Sequence, residues 1–368
     1  MAASSCHSLT AKCHAMLGRL LTDDDYNKLL TLGSLRDIAS YLSGHAVYAE
    51  YFSDTSAARM PRRRLEQSVR RALISDYLKL YTFLTGDEKK YIALSMSKFE
   101  LETLLGIWRS INHRDAGNAE SYSAETMAVF TDNINIFKHY YENTNLVDIA
   151  LLAAALENAD RDMFAEAIAE SKYAHIFENH MNSEVADDFT QLEVFLYNRY
   201  YLDLYSSAAK FSGVTCESLE YVVQVQADLT NLSRISRMIH NFNAPAERVI
   251  PMLMPLRGRI RDEDMQILMT LTDKKDFYDR LEETYYGKKQ SFYGYVTFSE
   301  YLTQYLYRYY RSRIWRNDTG FFIAICYLYL KNVEINNIIY LVEGIRYNMP
   351  PDQIRAKIIS SGTAEERR

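Results

Sequence analysis

Three short polar signatures along the 368-residue chain could bring carboxylates and amides together: Glu100-Leu-Glu-Thr-Leu104, Asp228-Leu-Thr-Asn-Leu232 and Glu334-Ile-Asn-Asn-Ile338. Each reads acid, aliphatic, any residue, Asn or Thr, aliphatic. The acid (Glu100, Asp228, Glu334) and its companion (Thr103, Asn231, Asn337) are three residues apart. On a helix they share a face and can bond each other or a neighbouring helix. As chemistry, Asp228 and Glu334 would form a carboxylate pair for acid and base work. No nucleophile, phosphate loop or second motif accompanies them, and a catalytic site written three times is unusual. A structural polar cluster that fixes helix register is the preferred account. Arg109 and Arg237 lie nine residues after their acids, and the third copy has Glu343 there with Arg346 following. These arginines are the expected partners of partly buried acids.

Cys6-His7 and Cys13-His14, seven residues apart, could supply four zinc ligands. The spacing fits no familiar finger, adjacent residues point to different sides of a helix, and the eight histidines form no HExxH pair. No metal and no cofactor is therefore expected. Arg59, Arg62, Arg63, Arg64, Arg70 and Arg71 concentrate positive charge, offset by Glu66, and Arg308, Arg311, Arg313 and Arg316 form a second cluster. Such runs are either solvated helix faces or an interaction rim for an acidic protein, anionic lipid or, last, nucleic acid. Thirty tyrosines are many for this length. Tyrosine packs cores and also lines wet interfaces, so the stripe is either packing or the wall of a cavity that receives another protein.

The elements that must position these residues are helical. The chain is 48% hydrophobic, with 13 Gly and 6 Pro, and residues 62–244 contain no proline, which would break helix interiors. The scarcity of glycine argues against dinucleotide-binding and P-loop folds. With 42 basic and 48 acidic side chains the net charge is −6, so no global field would hold nucleic acid. The longest apolar run, Phe321–Leu330, is about half of what a bilayer crossing needs. The N-terminal stretch has no continuous apolar segment before a small-residue cleavage site, so a secretory signal is not expected. Four unpatterned cysteines fit a reducing compartment.

Self-similarity organises the chain. GRLLTDDDYNKLLTLGSLRDIASYL, starting at Gly18, aligns with GRIRDEDMQILMTLTDKKDFYDRL, starting at Gly258, with a single-residue gap. A fainter copy runs from Leu151 to Tyr173, and all three end in a tyrosine turn at Tyr48, Tyr173 and Tyr286. Thr22, Ser34 and the acids at Asp262 and Asp273 mark helix starts, so each copy reads as a pair of short helices. Downstream of each comes a long aromatic helix, at 61–84, 192–205 and from Phe298 through Tyr301, Leu302, Tyr305, Leu306 and Tyr309, and then a helix with the polar signature. The expectation is an all-α chain of three repeats, residues 10–113, 140–243 and 250–359, with a linker at 114–139. Three repeats bury one another's faces most economically with approximate three-fold symmetry.

Three stretches carry a resemblance to a known family: GRLLTDDDYNKLLTLGSLRDIASYLSGHAVYAEYF, GRIRDEDMQILMTLTDKKDFYDRLEETYYG and FFIAICYLYLKNVEINNIIYLVEGIRYNMPPDQIRAKI. The chain resembles the C-type subunit of the bacterial and archaeal A/V-type rotary ATPases (ATP synthases), the family that includes the d-type subunit of eukaryotic vacuolar ATPases, over about residues 10–359. It departs where Tyr340 and Leu341 stand in place of the usual arginine after the signature Asn, and where Thr103 replaces the first Asn. The resemblance implies a funnel of three pseudo-symmetric helical units on the cytoplasmic face of the membrane, peripheral to it. The funnel would sit on the rotor ring of proteolipid subunits, with its central cavity receiving the central-stalk shaft. The protein would be non-catalytic, coupling ATP hydrolysis or synthesis to proton or sodium transport. The competing class is a soluble helical-repeat scaffold with a concave groove, unrelated to ATPases.

Overall fold

The computed structural model describes residues 2–52, 62–112, 147–182, 189–295, 297–316 and 320–361, and their side chains from residue 7 onward except at position 315. The expected linker at 114–139, Pro61 at the expected helix start, and Arg59 lie outside the described residues. The described chain is all-α and divides into two compact units, Met1–Lys90 with Ser207–Arg368, and Tyr91–Ser206.

In the larger unit, α1 (Ala2–Leu17) precedes two short helices, α2 (Asp23–Leu30) and α3 (Leu35–Ser43). The start of α2 is a capping box: Thr22 Oγ1 accepts from the Asp25 N–H at 3.2 Å, and Asp25 accepts from the Thr22 N–H at 2.8 Å. Ser34 caps α3 through the Asp37 N–H at 3.2 Å. The long helix α4 (Arg62–Phe83) follows, and α5 (Gly86–Asn112) carries the chain into the smaller unit.

There, α6 (Ile149–Asn158) and α7 (Arg161–Ala167) form the expected short pair, the second capped by Asp160, which accepts from Asp162 and Met163 N–H at 2.8 and 2.9 Å. The unit continues with α8 (Ala174–Met181) and α9 (Phe189–Ala208). Its core is aromatic: the Trp108 ring centroid lies 5.1 Å from that of Phe164 and 5.8 Å from that of Phe177. Such contacts add directional preference to burial.

The larger unit resumes with α10 (Gly213–Ser236), which runs into a π-helical turn at Arg237–Asn241, then α11 (Ala246–Val249), α12 (Asp262–Thr270) and α13 (Lys274–Glu282). Asp273 caps α13 through Lys275 and Asp276 N–H at 2.8 and 3.1 Å. Asp262 sits in the first turn of α12 without capping it, since Arg261 holds the cap position. The unit ends with α14 (Phe298–Trp315), α15 (Phe321–Arg346) and α16 (Pro351–Lys357). The apolar run Phe321–Leu330 opens α15, which packs against α1, α4 and α14 and is buried nearly all round. That placement, inside protein, explains a helix apolar on every face. No helix among the described residues is long and apolar enough to cross a membrane.

The same positions of the three sequence copies point inward. Ile38, Phe164 and Phe277 are fully buried, as are Leu42, Ile168 and Leu281, and the turn tyrosines Tyr48, Tyr173 and Tyr286.

Candidate functional site

The second signature sits mid-helix on α10. The Asp228 carboxylate accepts from three successive backbone N–H groups, Gly258 at 3.2 Å, Arg259 at 2.6 Å and Ile260 at 3.1 Å, and from the Tyr286 hydroxyl at 2.8 Å. Burial pushes its pKa up, and these four donors pull against that rise. One turn on, Asn231 grips Met254 at two points: Nδ2 donates to its carbonyl at 3.0 Å and Oδ1 accepts from its N–H at 2.7 Å. The glycine of the Gly258-Arg259 start is required by this approach, because a Cβ there would meet Asp228 Oδ2 at 2.2 Å. Gly18, its sequence counterpart, has only the His14 and Ala15 carbonyls nearby, at 3.6 and 3.9 Å, so the shared Gly-Arg pair does not serve one role in both places.

The third signature, on α15, meets the start of the chain. Glu334 accepts from the Leu21 N–H and the Tyr48 hydroxyl, and Lys331, one turn earlier and fully buried, donates to Glu334 at 2.6 Å and to the Tyr48 hydroxyl at 2.9 Å. Asn337 repeats the two-point grip, donating to the Ile359 carbonyl at 2.8 Å and accepting from its N–H at 3.0 Å, while Nδ2 also reaches the Tyr26 hydroxyl at 3.1 Å. The first signature differs. Thr103 bonds back to the Phe99 carbonyl of its own helix at 2.8 Å. Glu100 is half-buried, and burial pushes its carboxyl up to about 7 against the opposing pull of Lys172.

The arginines expected beside the acids are elsewhere. Arg109 lies 4.1 Å over the Phe189 ring, Arg237 5.7 Å over Phe242 and Arg346 5.3 Å over Tyr347, while Glu343 pairs with Arg62. Backbone N–H groups, tyrosine hydroxyls and a lysine hold the acids instead, because the loop entering a helix, packed against the acid, presents main-chain donors with no side-chain entropy to lose. In the sequence Tyr48 and Tyr286 stand out only as the ends of the copies. In the sequence Lys331 stands only as the end of the apolar run and the basic residue before the signature, and its pairing role is missed, although its spacing of three before Glu334 is a signal that could find it.

A family model described as "ATP synthase (C/AC39) subunit" matches residues 9–357. The chain belongs to that family. The C/AC39 match spans both compact units and all three signatures. No curated protein is matched by the chain.

In this C/AC39 family member the other sequence candidates fall out as follows. Cys13 is buried in the core, with its thiol pushed up to about 12 by burial, whereas His7 and His14 are exposed, so Cys13 and His14 face different ways. The Cys6 side chain lies outside the described residues. Among the described residues no group of His, Cys, Asp or Glu is placed to hold a metal. Of the basic run, Arg64 and Arg70 are exposed and Arg63 and Arg71 half-buried, while Arg62 is turned to Glu66 and Glu343 within the chain. In the second cluster Arg308 donates to Gln290 at 2.9 Å and Arg313 to Ser218 at 3.0 Å. The tyrosine stripe of α14 is largely packing: Tyr301 stacks on Phe292 at 3.9 Å and donates to the Tyr286 and Gln290 carbonyls, both at 2.9 Å.

Proposed function

We propose that this chain is the non-catalytic socket of an A/V-type rotary ATPase, seated on the cytoplasmic face of the proteolipid rotor ring and holding the tip of the central-stalk shaft. The match of residues 9–357 to the ATP synthase (C/AC39) family is the observation that carries this reading. In it the chain forms three repeats, 10–113, 140–243 and 250–359, arranged as a funnel around a central cavity. Torque passes through the protein, so its task is stiffness rather than chemistry, and close-packed helices are stiff. Four of the six signature residues fit that task as structural locks. Asp228, Asn231, Glu334 and Asn337 each clamp main chain outside their own helix, and every such clamp resists sliding of that helix on its neighbours. Glu100 and Thr103 occupy the corresponding place in the first repeat. Arg63, Arg64, Arg70 and Arg71 form the interaction rim, with Arg62 holding the rim to α15.

The deciding experiment is rebinding of the purified chain to membranes stripped of the ATP-hydrolysing head, with and without added central-stalk subunits. Stoichiometric return to the ring followed by recruitment of the stalk is the expected result. A chain that stays in the supernatant and ignores both would end the socket reading.

A further inference from the structure

Two stretches outside the signatures repeat in conformation as well as in sequence. α10 is followed by Phe242-Asn243-Ala244-Pro245, and α15 by Tyr347-Asn348-Met349-Pro350. Both asparagines are left-handed, with φ of 49° and 53°. In both, the next residue's N–H returns to the end of the helix, Ala244 to the Met238 carbonyl at 2.9 Å and Met349 to Gly344 at 2.8 Å. The π-helical turn Arg237–Asn241 absorbs one extra residue, since Phe242 lies fourteen residues past Asp228 and Tyr347 thirteen past Glu334.

This cap needs the asparagine and the returning N–H. It does not need an aromatic ring in water, yet Tyr347 is 65% and Phe242 61% exposed, more than any other large apolar or aromatic side chain among the described residues. Each ring lies under an exposed arginine, Arg346 or Arg237. Glu343, one turn before Tyr347, pairs with Arg62 at the basic start of α4.

We propose that Phe242 and Tyr347, each with its arginine, are equivalent docking knobs for a partner that repeats one pocket, apolar and edged by carboxylates, around a ring of identical subunits. The proposal rests on the socket reading. A knob written twice on related units fits a partner with repeated sites, whereas a single shaft offers one surface only. The arginines select the carboxylate edge by charge complementarity, and exposed aromatics with arginine are the side chains that dominate binding energy at interfaces.

The test compares wild type, Phe242→Ser, Tyr347→Ser and the double variant in rebinding to stripped membranes that retain the ring. Vesicles of the same lipids without the ring and the isolated central stalk serve as controls. Each single change is expected to weaken ring binding about tenfold and the pair by about two orders of magnitude, with thermal midpoint and stalk binding unchanged. Wild type that binds the ring while the double variant binds it equally well overturns the knobs and leaves the socket standing. Wild type that binds ring-free vesicles as tightly makes the partner a lipid surface and overturns the ring as occupant. Wild type that binds neither ring nor stalk removes the socket reading, and the knobs with it.

Discussion

Gly258→Ala is the sharpest test of the polar lock on α10. The added methyl would lie 2.2 Å from Asp228 Oδ2, 2.5 Å from Cγ and 2.8 Å from Oδ1, all far inside contact distance. Either the loop 258–260 or the carboxylate must retreat, and the carboxylate's three backbone donors come from that same loop. Hydrogen bonds to a charged group contribute about 1.5–3 kcal/mol each, so losing one or two and leaving Asp228 under-satisfied costs about 3–5 kcal/mol. For a chain of this size that lowers the thermal midpoint by roughly 4–7 °C. Gly18→Ala is the control, since nothing lies within 3.6 Å of its Cβ, and it is expected to be neutral within about 0.5 kcal/mol. The cycle Asp228→Ala, Gly258→Ala and both together, followed by thermal and urea unfolding, isolates the contact. Once the carboxylate is gone the methyl has room, so a coupling of about 2 kcal/mol or more is expected. Equal midpoints for Gly258→Ala and Gly18→Ala, or strict additivity in the cycle, would refute the reasoning.

The remaining signatures give graded expectations. Glu334→Ala strands the fully buried Lys331 without its counter-charge and is expected to cost about 3–5 kcal/mol in chemical denaturation, whereas Glu334→Leu with Lys331→Met recovers most of that loss. Asn231→Ala and Asn337→Ala each leave a buried backbone N–H and carbonyl unpaired and should cost about 2–3 kcal/mol, while Thr103→Ala, which removes a hydroxyl bonded back to the Phe99 carbonyl of its own helix, should cost less than about 1 kcal/mol. Glu100 has a folded pKa of about 7 against an ordinary 4.5, so the folded state binds its proton more tightly than the unfolded state does. Its contribution is most favourable below pH 4.5 and declines as pH rises to about 7. Glu100→Gln should therefore raise the unfolding midpoint at pH 8 and not at pH 4, and an equal shift at both pH values would dismiss the assignment. Arg64→Glu with Arg70→Glu should weaken retention on stripped membranes in a salt-dependent way, and unchanged retention would dismiss the rim.

Much of this architecture is legible in the sequence because helices announce themselves locally. Thr22, Ser34, Asp160 and Asp273 are capping residues at the spacing a helix start demands, and all four cap. The aromatic spacing from Phe298 to Tyr309 marks α14, and the absence of proline between 62 and 244 marks long helices. What fails is the assignment of partners. Arg109 and Arg237 lie nine residues past their acids, which on a helix is the opposite face and about 13 Å along the axis, so neither reaches its acid, and each guanidinium sits over an aromatic ring instead. Helix α1 escapes the sequence because its cysteines and histidines invite a metal reading, when Leu9 and Cys13 are its inward face. Backbone N–H groups carry no sequence signal, so the cradle at 258–260 emerges only once Gly258 is seen to lack room for a side chain.

The locks at Asp228 and Glu334 differ in what they join. Asp228 holds a segment about thirty residues downstream, which covalent connection would keep near it in any case. Glu334 holds Leu21, more than three hundred residues upstream, where only non-covalent contacts bring the ends of the chain together. The surroundings match that difference. At the second junction Asn337 grips Ile359, Arg355 and the hydroxyls of Ser360 and Ser361 reach the Asp23 carboxylate, and Lys357 pairs with Glu300 at 2.8 Å. In addition, the buried Lys331 turns Glu334 into a paired charge that cannot leave its site without exposing or stranding an ion. A buried ion pair is a poor source of net stability, but a strong penalty on the broken state. That property holds together two stretches more than three hundred residues apart, and it accounts for a lysine at the third signature where the second manages with backbone donors and a tyrosine.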